Sequence, residues 1–173
     1  RYTEYQVIAV GENGTESFAS EPVTYYNYDN EQCVDMTQFA SATKFEGCRG
    51  FSGNGAVEVS TKTNTRIDMK INVPADGEYL IDFRYANGSS NLTDDNMCAV
   101  RRLTVNGNKA GSVVFPQRGR NLWTLWGFSS SLRVTLKKGN NALILSYDPE
   151  DINMNAQDIN RAMLDYVRLI RVK

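Results

Sequence analysis

Four short segments alternate apolar and polar residues with a period of two: Ile67, Met69, Ile71 and Val73; Tyr79, Ile81, Phe83 and Tyr85; Leu132, Val134 and Leu136; and Leu143, Leu145 and Tyr147. Successive side chains on a strand point to opposite faces, so each segment reads as a strand with one buried face. Between them lie Asn54-Gly55, Asn87-Gly88, Asn106-Gly107 and Gly139-Asn140, and the Pro-Ala-Asp-Gly stretch at 74–77. These residues accept a positive φ or preset a turn, and they read as hairpin punctuation. No window of a dozen residues repeats apolar side chains every 3.6 positions, which leaves helix only as short pieces around 35–42 and 156–163. The expected fold class is all-β, a sandwich.

At 173 residues the chain is long enough for one domain with its own core. Hydrophobic residues at 41% and charged residues at 23% are ordinary for a globular chain and argue against disorder or a fibre. The 19 basic and 20 acidic residues are mixed along the length, so no nucleic acid and no membrane surface is expected as a partner. No apolar run approaches the roughly 18 to 20 residues of a membrane span. The first residues lack the pattern of a signal peptide, so an export signal, if one exists, lies upstream. Histidine is absent, which excludes imidazole-based triads and most zinc sites. Cys33, Cys48 and Cys98 show no C-x-x-C spacing; a Cys33–Cys48 disulfide and buried free thiols are both open.

Residues 1–26 read separately from 27–173. "YQVIAVGENGTESFASEPVTY" is a strand with Tyr5, Val7 and Ala9 in alternation, a Gly-rich turn, and a second strand ending at Pro22. This extra N-terminal β-hairpin resembles the last two strands of a fibronectin type III domain. A lone hairpin is marginal in water, so it is expected to dock on the neighbouring domain or to come from a longer protein.

From Tyr28 onward five pieces stand in a telling order: "YDNEQ" (28–32), "GFSGNGAVEV" (50–59), "INVPADGEYLIDFRYANG" (71–88), "LTVNGNKAGSVVFP" (103–116) followed by Trp-x-x-Trp, and "LKKGNNALIL" with "AMLDYVRL" (136–145 and 162–169). This order resembles the carbohydrate-binding modules of families 35 and 6. The resemblance implies a jelly-roll β-sandwich of the galactose-binding-like class over 27–173. It also implies a non-catalytic module of a secreted bacterial glycan-degrading enzyme, located outside the cell, in the periplasm or at the cell surface. The implied partners are a polysaccharide or oligosaccharide and the catalytic domain of the same parent chain.

The resemblance places a structural calcium at Asp29, Glu31 and Asp165, completed by main-chain carbonyls near Arg49 to Gly53. The residues agree in part: carboxylates at i and i+2 share a strand face, and Asp165 interrupts an apolar final segment, where an unpaired buried charge would cost several kcal/mol. The alternative leaves Asp29 and Glu31 solvated and pairs Asp165 with an arginine such as Arg161. Trp123 and Trp126, three apart, face opposite ways in strand geometry. Because the family keeps a sugar-stacking aromatic here, Trp123 is expected as an exposed platform and Trp126 as core, with both structural as the other possibility. Arg118 and Arg120 offer guanidinium forks for an acidic sugar or its hydroxyls. Asn155, in the polar loop 147–161, offers an amide that both donates and accepts.

The chain also departs from the uronate-binding members of family 35. It has Ala56 where they carry an aromatic, Met163 where they carry an asparagine, and Ala99 or Val100 where they carry an arginine. Their ligand set is not transferred. A catalytic role would need paired carboxylates across a cleft, and Asp94-Asp95 has no such context. A sandwich that only braces the catalytic domain is the alternative to sugar binding.

Overall fold

The computed structural model describes residues 3–15, 23–25, 30–89, 98–150 and 160–173. Two short strands, β1 (Thr3–Tyr5) and β2 (Val23–Tyr25), pair antiparallel with Thr3 opposite Tyr25. The sandwich comprises β3 (Glu31–Asp35), β4 (Val57–Val59), β5 (Arg66–Val73), β6 (Gly77–Ala86), β7 (Ala99–Val105), β8 (Asn108–Phe115), β9 (Trp126–Phe128), β10 (Leu132–Leu136), β11 (Gly139–Ser146) and β12 (Ala162–Arg171). One sheet runs β10-β6-β12-β3, with β4 added on β12 and β9 on β6; the other runs β5-β11-β7-β8. All strand pairs are antiparallel. Among the described residues the helical content is 3₁₀ only, at Asn30 and in the turn Met36–Gln38, the latter within the first stretch where short helix was expected. The start of the second stretch lies outside the described residues, and its end, from Ala162, is strand.

The period-two runs become the inner faces of the two sheets. β5 buries Ile67, Met69, Ile71 and Val73 and exposes every residue between them. Tyr79, Ile81, Phe83 and Tyr85 face them from β6, with Leu143 and Leu145 from β11 and Leu103 and Val105 from β7. Phe83 and Tyr85 meet Phe115 edge-on, at 6.0 and 5.3 Å between ring centroids.

The turn signals divide into two kinds. Asn106 (φ 49°) and Gly107 (φ 83°) form a two-residue turn with both central residues in the left-handed region, which joins β7 to β8 as a true hairpin. The 74–76 turn and the Lys137–Lys138 link instead carry the chain between sheets, since β5 and β11 lie in one sheet and β6 and β10 in the other. They make sandwich corners where hairpins were expected.

β12 is the central strand of its sheet and contains an irregularity. It pairs Leu164 with Tyr85 but Tyr166 with Arg84, so Asp165 is an extra residue bulged against β6. The bulge switches the phase of burial: Ala162 and Leu164 face the core before it, Val167 and Leu169 after it. On the outer face of this sheet Arg168 forks onto Asp82 at 2.6 and 2.9 Å and stacks on Phe128 at 3.5 Å, and both charged side chains are buried.

The first strand of the N-terminal hairpin is shorter than expected and stops at Tyr5; it pairs with Val23–Tyr25, while the stretch expected as the second strand, 16–22, lies outside the described residues. Tyr5, Val7, Ile8, Val10, Val23 and Tyr25 are all exposed, so these side chains do not pack on the sandwich. Removing residues 1–26 therefore costs the sandwich no buried contact with them. The melting temperature is expected to move by no more than about 2 °C, as for ordinary surface changes. A calorimetric scan of the truncated chain checks this, and a large drop would show that the hairpin braces the sandwich.

Candidate functional site

After β8 the chain enters a loop that is stitched to the end of β6. Arg118 N–H donates to the Asn87 carbonyl at 2.8 Å, Asn121 N–H to Gly88 at 2.9 Å, and Leu122 N–H to Gly119 at 3.0 Å. Gly88 lies so close to the Leu122 backbone that a side chain there would collide with it. This docking turns Trp123 inward onto Cys48, Ala56, Ala86 and Met163, where it is only 8% exposed. Its ring meets Phe45 edge-on at 5.6 Å, and the Arg161 guanidinium lies 4.7 Å from its centre. Arg161 in turn pairs with Glu58 at 2.9 Å.

The expected exposure of Trp123 is thus not met. Trp123 is the buried one; Trp126, half-buried, opens β9 opposite Ala86 and donates its indole N–H to the Arg49 carbonyl at 2.7 Å. Strand alternation does not apply between them, because residues 123–124 form a turn and β9 begins only at Trp126. Arg118 lies flat across β9, 5.9 Å from the Tyr85 ring centre and against Gly127, where any side chain would displace it. Arg120 is exposed near the loop tip. Asn155 lies outside the described residues.

Beside the buried tryptophan is a depression of about 520 Å³, formed entirely by the segment between residues 42 and 56. Phe45 and Phe51 are the aromatic rings in its lining, and Thr43, Lys44, Glu46 and Asn54 supply polar groups. Phe51 is 38% exposed, whereas Phe45 is held from behind by Trp123 and Arg161. The segment is pinned by Thr43 N–H to the Ala56 carbonyl at 2.8 Å, Cys48 N–H to Phe45 at 3.0 Å, and Glu58 N–H to Thr43 Oγ1 at 3.0 Å. At Gly55 (φ 146°) a side chain would run into Ala42. A pyranose presents a flat patch of C–H groups ringed by hydroxyls, which suits phenyl faces flanked by groups that donate and accept. Sequence reasoning passed over Phe45 and Phe51; the available signal was two phenylalanines in a glycine-punctuated loop, "KFEGCRGF".

Of the expected calcium ligands, the two that can be placed, Glu31 and Asp165, lie apart. The β3–β12 register sets Glu31 opposite Ile170 and Asp35 opposite Tyr166. Glu31 is therefore four residues, roughly 13 Å, along the strand from the rung beside Asp165. Asp29 lies outside the described residues, and among those described no three carboxylates or thiols converge on a metal position. Asp165 is fully buried and does meet the 49–53 loop, but through donors: Ser52 N–H at 3.0 and 3.1 Å, Ser52 Oγ at 2.9 Å, and the Arg84 guanidinium in an ion pair. The arginine is Arg84, while Arg161 serves Glu58. Asp35 accepts from Thr37 Oγ1, Thr37 N–H and Asn54 N–H; burial alone would raise its carboxyl, but these bonds outweigh it and hold it below the ordinary value.

Cys33 and Cys48 are not joined in a disulfide. Cys33 donates to Glu31 at 3.0 Å, and desolvation, followed by that carboxylate's hydrogen bond and charge, pushes its thiol up to about 12. Burial pushes Cys48, beneath Trp123, up to about 11. Neither is a poised nucleophile.

No protein-family model matches the chain. A cycloisomaltooligosaccharide glucanotransferase of Niallia circulans is 28% identical over 118 residues, covering 66% of this chain and 11% of the relative. A 1,6-alpha-glucosyltransferase of Sporosarcina globispora is 32% identical over 103 residues, covering 58% of this chain and 7% of the relative. The chain thus spans about a tenth of the length of the curated relatives it matches. Among solved structures, the CBM35 of Cellvibrio japonicus Abf62 superposes with a TM-score of 0.57 at 22% identity, over 83% of this chain and 94% of that one. With its two antiparallel sheets and this likeness over nearly the whole of that module, the chain has the same β-sandwich fold as the CBM35 module.

Proposed function

We propose that the chain is a non-catalytic carbohydrate-binding module that holds a larger, secreted glycan-active enzyme on its polysaccharide or oligosaccharide. The observation that carries this reading is the depression at 42–56, where phenyl faces and hydrogen-bonding groups sit together on a rigid sandwich end. Glu46 is the one carboxylate lining it, and glycosyl transfer or hydrolysis draws on two. Lys44 and Glu46 offset each other's charge, which favours a neutral sugar over a uronate. The enzymes that the chain resembles are named for glucanotransferase and 1,6-alpha-glucosyltransferase activity, so α-linked glucan is the ligand class we assign. With Phe51 as the exposed stacking face, affinity in the millimolar to micromolar range, about −4 to −8 kcal/mol, is expected. Tethering to a catalytic domain makes such affinity sufficient.

One observation favours the bracing alternative. Trp123 is packed against Ala56 and Met163, the positions where sugar-binding relatives were expected to differ, so that part of the sandwich end is closed. A brace could tolerate this, and so could a binding module whose site has moved to the neighbouring depression.

Affinity electrophoresis separates these readings. The chain is expected to be retarded in gels containing dextran, an α-1,6-glucan, and to run freely in gels containing a polyuronate. Phe51→Ala should lose the retardation while keeping the wild-type melting temperature. Trp123→Ala should instead lose about 3 to 5 kcal/mol of stability, as a large core truncation. Free migration of wild type in every glucan gel, or undiminished retardation of Phe51→Ala, would count against the site. In the parent enzyme, deleting residues 27–173 should lower turnover of insoluble glucan and spare a small soluble substrate. Equal loss on both, with a lower melting temperature of the catalytic domain, would identify a brace.

A further inference from the structure

We infer that the Arg84 guanidinium does in this chain the work that the family resemblance assigns to calcium, so that the last strand is tied to the 49–54 loop without a metal ion. A hard cation such as calcium needs about six to eight oxygen lone pairs directed at one point. Here the oxygens near that point are directed at N–H and O–H groups. Asp165 accepts from the Ser52 N–H and Oγ and pairs with Arg84. The Gly50 carbonyl accepts from both Nη1 and Nη2 of Arg84 at 3.3 Å, and the Arg49 carbonyl is taken by the Trp126 indole at 2.7 Å. Asp35, the carboxylate of β3 nearest in register, is bonded by Thr37 and Asn54.

The charge balance points the same way. Arg84 and Asp165 neutralise each other one to one, whereas a divalent ion at Asp165 would call for a second carboxylate. Of the two acids expected to supply it, Glu31 sits opposite Ile170 at the far end of the ladder, and Asp29 lies outside the described residues. Arg84 is also held in place from its own strand: it lies opposite Tyr166 in the β6–β12 register, 5.9 Å from that ring and 5.0 Å from the ring of Trp126. Its rigid planar fork holds a carboxylate and a carbonyl in a fixed geometry, which a flexible ammonium does not pre-organise.

The test is thermal melting of the intact chain in EDTA and in millimolar calcium chloride. Wild type should melt at the same temperature in both. Arg84→Ala should melt on the order of 10 °C lower in either buffer, because it leaves a buried carboxylate uncompensated. Arg84→Lys, which keeps the charge and loses the fork, should fall between the two and decides the matter if Arg84→Ala does not fold. The inference is overturned if calcium raises the wild-type melting temperature by several degrees and Asp165→Asn abolishes that rise, or if Arg84→Ala melts with wild type.

Discussion

A carboxylate with no exposed surface, Asp165, ties the loop before β4 to the centre of its sheet. It sits at the bulge of β12, and its partners come from β6 through Arg84 and from the loop before β4 through Ser52. Taking such a group out of water costs several kcal/mol unless its lone pairs are filled, and losing one partner of a buried pair costs about 3 to 5 kcal/mol. Every hydrogen bond that reaches Asp165 therefore also fixes backbone. Ser52 positions the loop that carries Phe51 and Asn54, and Arg84 carries the tie onward to the Gly50 carbonyl and the Trp126 ring.

The bulge also sets what faces inward at the loop end of β12. By shifting the phase of the strand it places Met163 beneath Trp123 on one side and leaves Val167 and Leu169 in the main core on the other. Trp123, Phe45 and Arg161 then form a closed stack at 4.7 to 5.6 Å, with Arg161 anchored on Glu58. Phe45 is thereby fixed from behind, and the open surface moves to the segment between 42 and 56. Pre-ordering of this kind lowers the entropy lost when a sugar is held, which matters for a small site with few contacts.

The strands were legible because burial on one face leaves a period-two trace, as β5 shows without exception. Which sheet each strand joins was not, because a turn dipeptide at Asn106-Gly107 and the corner at 74–77 use the same residue types for different connections. The Trp123 assignment failed for a related reason: alternation holds only inside a strand, and β9 begins at Trp126. Glu31 is separated from Asp165 by register. Glu31 and Asp35 both lie on β3, but the pairing with β12, a contact distant in sequence, places Asp35 rather than Glu31 beside the bulge. That Asp165 needed a partner was readable from an acid within an apolar run; that the partner is Arg84, from "FRYANG", emerges only when β6 and β12 are seen side by side.

The central claim, a glycan site on the 42–56 segment, is tested most directly by titrating an isomalto-oligosaccharide into the isotopically labelled chain and following amide and aromatic NMR shifts. Saturable shifts centred on Thr43, Phe45, Phe51 and Asn54, with those of Trp126 and the four-stranded sheet nearly unmoved, are the predicted result. Shifts centred instead on the 117–125 loop, or none at concentrations well into the millimolar range, would contradict it.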